Sequence, residues 1–92
     1  MQPVQMIAPD VLVEIIRRQP PSRARTMFAW NAVVGSALAR ASSVELSGTS
    51  LRVTARDARW ARELERNRDV ILARLQHLLG AGVITQIEIS HA

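Results

Sequence analysis

The chain has 92 residues, enough for one compact domain with a small core and little room for a deep catalytic cavity. It contains no cysteine, which excludes disulfides, thiolate metal sites and cysteine nucleophiles. Its net charge is +4, and all 12 basic residues are arginine, which forks onto phosphate and stacks on bases. A nucleic-acid partner fits that balance; codon bias in a GC-rich genome is the competing explanation for the missing lysine.

Residues 1–8 read as a flexible lead without the charged head and long apolar run of a signal peptide. No apolar run approaches the roughly 20 residues needed to span a bilayer. The expectation is a soluble, cytoplasmic protein with no membrane partner, folded as a single domain over residues 9–92. Pro9 and Asp10 suit a helix start, and Val11, Leu12, Ile15 and Ile16 fall on one helical face. Pro20 and Pro21 end that helix. Ser22 is placed to cap a second helix running to about Ala41. Met27, Trp30, Val33, Val34, Ala37, Leu38 and Ala41 share its core face, with Phe28 nearly opposite.

The period then changes from helical to alternating. Val44 and Leu46 alternate with polar residues, as do Leu51 and Val53, so each stretch predicts a strand with one buried face. A two-residue turn at Gly48-Thr49 sets Leu46 opposite Leu51 and Val44 opposite Val53. Asp57 is positioned to cap a long helix that stops before Gly80, with Trp60, Leu64, Ile71, Leu75 and Leu78 as its apolar stripe. In the last segment Val83, Thr85, Ile87 and Ile89 alternate with Ile84, Gln86, Glu88 and Ser90, which predicts a third strand. The order α-α-β-β-α-β, with a helical connection before the last strand, predicts a two-layer α+β domain. Helices should cover one face of a three-stranded sheet.

Catalysis finds little support. His77 and His91 form no pair at metal-ligand spacing, no serine sits in a nucleophile elbow, and Gly80-Ala81-Gly82 is too short for a phosphate loop. No cofactor, metal or small-molecule substrate is expected. Two basic clusters are the better candidates. Arg17, Arg18, Arg23 and Arg25 surround the Pro20-Pro21 turn with no acid between them. Arg59, Arg62 and Arg66, at i, i+3 and i+7, form a stripe expected to face away from Trp60 and Leu64. Either cluster suits sequence-independent contact with a phosphate backbone; the alternative is a solvated helix face. Phe28, Trp60, Arg52 and Arg56 are candidate contacts for a protein partner, the two arginines adding charge near the hairpin. Both tryptophans also suit core packing.

The ordered series Trp30-x4-Gly35, Leu38-Ala39, Gly48, Leu51-x-Val53, Trp60-Ala61-x-x-Leu64, Ile71-Leu72, Leu75, Leu79-Gly80 and a closing strand at Ile87 resembles the DciA-type family. The resemblance covers roughly residues 25–90. It implies a KH-like fold and a non-enzymatic accessory role in bacterial DNA replication. The partners it implies are a hexameric, DnaB-type replicative helicase and single-stranded or forked DNA, the latter bound weakly near the nucleoid. The Gly-x-x-Gly loop of true KH domains is not present, so an RNA grip of that kind is not expected. Longer members of the family carry a basic, flexible extension, and DNA binding that depends on it is not expected of residues 1–92. The rival reading of the same residues is a stand-alone KH-like nucleic-acid-binding module with no helicase partner. A third is a domain whose arginines serve only solubility.

Overall fold

The computed structural model describes residues 20–92 together with Val13 and Ile15. The predicted lead, most of the first predicted helix, and Arg17 and Arg18 lie outside the described residues. Val13 and Ile15 are helical, and Val13 packs against the core. The elements that follow are α1 (Arg23–Arg40), β1 (Ser42–Ser47), β2 (Ser50–Ala55), α2 (Ala58–Arg66), α3 (Arg68–Leu79) and β3 (Gln86–His91). With α2 and α3 taken as one interrupted helix, this is the α-α-β-β-α-β order of a KH-like α+β domain.

The sheet has the order β1-β2-β3, with β1 antiparallel to β2 and β2 parallel to β3. The hairpin register is as the alternation predicts, Val44 opposite Val53 and Leu46 opposite Leu51. Gly48 has φ 62° and no other residue of the hairpin has a positive φ. That is the type II′ pattern, in which glycine takes the first central position. Val44, Leu51, Val53, Ala55 and Ile87 are buried on the inner face, whereas Ser43, Glu45, Arg52, Thr54, Gln86 and Glu88 are exposed on the outer one. The parallel step to β3 requires a crossover, which α2 and α3 supply.

The core lies between the helices and the inner sheet face. Its largest fully buried side chains among the described residues are Trp30, Leu51, Leu64, Leu75, Ile84 and Val53. Each such aliphatic side chain contributes about 1.5–3 kcal/mol by leaving water. Trp30 fills the space over β1 with its indole N–H donating to Ser42 Oγ at 3.1 Å, and that hydroxyl in turn donates to the Leu38 carbonyl at 2.6 Å. The ring therefore enters the core without stranding its polar edge.

The structure departs from the sequence expectations at three places. The helix from Ser22 is not continuous, because Gly35 has φ 85° and ψ 167° and breaks the α1 ladder. Ahead of the break Arg25, Thr26, Ala29 and Trp30 are buried, and beyond it Ala37 is exposed rather than in the core. The long helix from Asp57 is also interrupted. Asn67 leaves helical geometry at φ −108° and ψ 10°, and its side-chain amide donates to the Glu63 carbonyl at 2.9 Å. A short amide that satisfies the preceding turn from the side competes with the regular ladder. Finally, Val83 belongs to a turn instead of a strand, and Ile84 rather than Val83 is fully buried. The Gln76 amide donates to the Ile84 carbonyl at 3.1 Å and holds that residue inward, so the alternation starts only at Gln86.

Candidate nucleic-acid interface

Asp57 sets the direction of α2. Its carboxylate accepts the backbone N–H of Trp60 at 3.1 Å, as an N-cap does, and starts the helix directly from the end of β2. Ala61 and Leu64 go into the core from that start. Arg59, Arg62 and Arg66 are consequently exposed. They do not face away from Trp60 as the spacing predicts. All three line one open groove of about 440 Å³ together with Trp60, Leu38 and Glu63. The helical wheel places Trp60 beside Arg59 and Glu63 at the border of the core. The break in α1 brings Leu38 to the same border, so the indole is only partly buried.

The groove combines an apolar lining, Trp60 and Leu38, with three cations. Its one acid, Glu63, is already engaged, with one oxygen 3.0 Å from Arg66 Nη2 and the other accepting from the Asn67 amide at 3.3 Å. A second pair joins Glu65 and Arg68 at 3.5 Å. Both are solvent-exposed and contribute only tenths of a kcal/mol to stability.

The turn cluster is divided by the fold. Ser22 caps α1 by accepting the Arg25 N–H at 3.1 Å. Arg23 is exposed at the edge of a depression of about 390 Å³ between the start of α1, β1 and the end of α3. Arg25 is 8% exposed, and its Nη2 donates to the Leu79 carbonyl at 3.1 Å. Its position i+2 from Arg23 turns it inward, onto the last turn of α3. A guanidinium there satisfies an orphan carbonyl and meets the negative end of the helix dipole. Burial thus removes Arg25 from the solvated cluster that the sequence reading predicts; the signal that could have separated it from Arg23 is the helical phase, which sets i and i+2 on nearly opposite sides of α1.

The remaining candidates are spread out. Phe28 is 47% exposed on α1. Arg52 stands in the middle of the sheet's outer face, directly between Glu45 on β1 and Glu88 on β3 in the strand register. Two acids flank one base in that rung, so the outer face carries no basic patch there. Arg56 is exposed just past β2, and its backbone N–H donates to the Ala41 carbonyl at 2.7 Å. Of the candidates, the α2 arginines and Trp60 are brought together on one groove.

Another exposed apolar feature escapes sequence reasoning. Val70 is 52% exposed and borders a shallow cleft of about 230 Å³ with Val33, Val34, Leu38, Ile71 and Arg74. The cleft runs between α1 and α3, and Leu38 is common to it and to the arginine groove. Periodicity marks Val33, Val34 and Leu38 as core, but the break at Gly35 leaves them only partly covered.

No curated protein matches the chain. The family model described as "Dna[CI] antecedent, DciA" matches residues 4–89, and the chain belongs to that family.

Proposed function

We propose that this protein is a non-enzymatic adaptor that docks on the replicative helicase and assists its loading on DNA. The observation that carries the reading is membership of the DciA family over residues 4–89. That family belongs to bacterial DNA replication and is associated with the DnaB-type replicative helicase. The role assigns the protein to the cytoplasm, close to the nucleoid. Among the described residues no helix is long and apolar enough to cross a membrane.

We assign helicase docking to the helical layer, where Phe28 and the Val70 cleft offer apolar contacts. Arg56 is an exposed charge available to such a partner, whereas Arg52 adds little net charge between its two glutamates. Weak DNA contact is assigned to Arg59, Arg62 and Arg66 together with Arg23, and to Arg17 and Arg18 on sequence grounds. Such contact is largely electrostatic and indifferent to sequence. Titration of the chain into its cognate helicase by calorimetry tests the reading, which expects saturable binding at micromolar concentration. Absence of binding there contradicts it. The stand-alone module is favoured instead if the isolated chain binds DNA or RNA tightly with a steep salt dependence and ignores the helicase.

A further inference from the structure

We infer that the groove beside Trp60 is a single-stranded DNA site in which one unpaired base stacks on the indole while Arg59, Arg62 and Arg66 hold the flanking phosphates. The inference rests on the DNA-contact part of the function above and is independent of its helicase part.

Trp60 differs from Trp30 in every respect that matters for binding. Trp30 is 1% exposed and donates its indole N–H to Ser42. Trp60 is partly exposed, and among the described residues its indole N–H makes no hydrogen bond to protein. It lines an open groove of about 440 Å³, within the size range of small-molecule sites. Leu38 lines the groove with it, leaving an apolar slot rather than a flat charged surface. A planar, largely apolar face that also tolerates water at its edges is what a nucleobase presents.

Charge selects the rest of the ligand. Three guanidinium groups surround the slot, and the single carboxylate among them is held by Arg66 and Asn67. From Arg59 to Arg66 the helix rises about 10 Å, so the arginines are spread along a line instead of converging on one point. A linear cationic rim beside an aromatic face suits a strand with repeating phosphates and exposed base faces. A duplex buries its base faces in the stack and offers the indole nothing. The slot lacks paired donors and acceptors for base edges, so little sequence selectivity is expected.

The test is a fluorescence titration of the 92-residue protein with a short oligothymidylate, alongside a duplex of equal length and a polyglutamate peptide. Binding should quench tryptophan emission. Trp60→Phe, which keeps an aromatic face, should retain affinity within a few-fold and lose the quench, because Trp30 is sealed in the core. Trp60→Leu should weaken binding roughly ten-fold or more, the usual scale for losing one stacked base. Replacing Arg59, Arg62 and Arg66 with Ala should lower the log–log salt slope by about 2, at about 0.7 per phosphate contact on a single strand. Glu63→Gln, which frees Arg66, should tighten binding several-fold. Circular dichroism checks that each variant is folded. The inference is overturned if duplex binds as tightly as single strand, if quenching is absent, or if folded Trp60→Leu binds like the wild type. Displacement of the oligonucleotide by polyglutamate at comparable concentration would equally contradict it and mark the groove as a site for acidic protein segments. Loss of DNA binding with helicase binding intact defeats this inference alone; loss of both defeats the adaptor reading as well.

Discussion

Arg23 and Arg25 sit two residues apart in the sequence and do different jobs. Arg23 is solvated, whereas Arg25 is 8% exposed and bonded to the Leu79 carbonyl across the domain. Arg25→Ala should therefore lower unfolding stability by about 2 kcal/mol, the scale of a buried hydrogen bond from a charged donor. Arg23→Ala should change it by no more than about 0.5 kcal/mol, as surface substitutions do. Urea unfolding of the two variants measures both, and equal effects would show that the Leu79 contact does not matter. The two tryptophans divide in the same way. Trp30 is a packing residue that anchors α1 to β1. Trp60 does part of that work and keeps an open edge beside three cations.

At the level of elements, the informative features are interruptions. An uninterrupted helix through position 35 would gain about 1 kcal/mol from Gly35→Ala, since alanine is the better helix former. The structure predicts the opposite sign. At φ 85° and ψ 167° the backbone occupies a region open to glycine almost alone, and an alanine there costs about 1–3 kcal/mol. No atom lies within 4 Å of where its Cβ would stand, so a clash would not account for a loss of stability. Thermal or urea unfolding of Gly35→Ala separates the two pictures by sign alone. Much of the fold was legible in the residues: Ser22 and Asp57 cap the predicted helices, and the hairpin register follows from alternation and Gly48. The interruptions at Gly35 and Asn67 were not, because the apolar period continues across both. Leu64, Ile71 and Leu75 remain on one face with the ladder broken between them. The candidate site suffered accordingly. The i, i+3, i+7 spacing located the arginine stripe, but only the path of α1 after Gly35 brings Leu38 to Trp60 and makes a groove of them.

For the whole molecule, the two faces carry different chemistry. The outer face of the sheet is small, polar and close to charge balance around the Glu45-Arg52-Glu88 rung. The helical face holds the arginine groove and, joined to it through Leu38, the apolar Val70 cleft. The surfaces proposed for a nucleic acid and for a protein are thus contiguous, an arrangement suited to an adaptor that brings one to the other. Val70→Glu puts a charge at an exposed position of the cleft, so it should leave stability within about 0.5 kcal/mol while disturbing an apolar interface. The most direct measurement is calorimetric titration of the wild-type and Val70→Glu chains into the cognate replicative helicase. The wild type should bind with micromolar affinity, weakened at least ten-fold in the folded variant. No binding of the wild-type chain at micromolar concentration would contradict helicase docking.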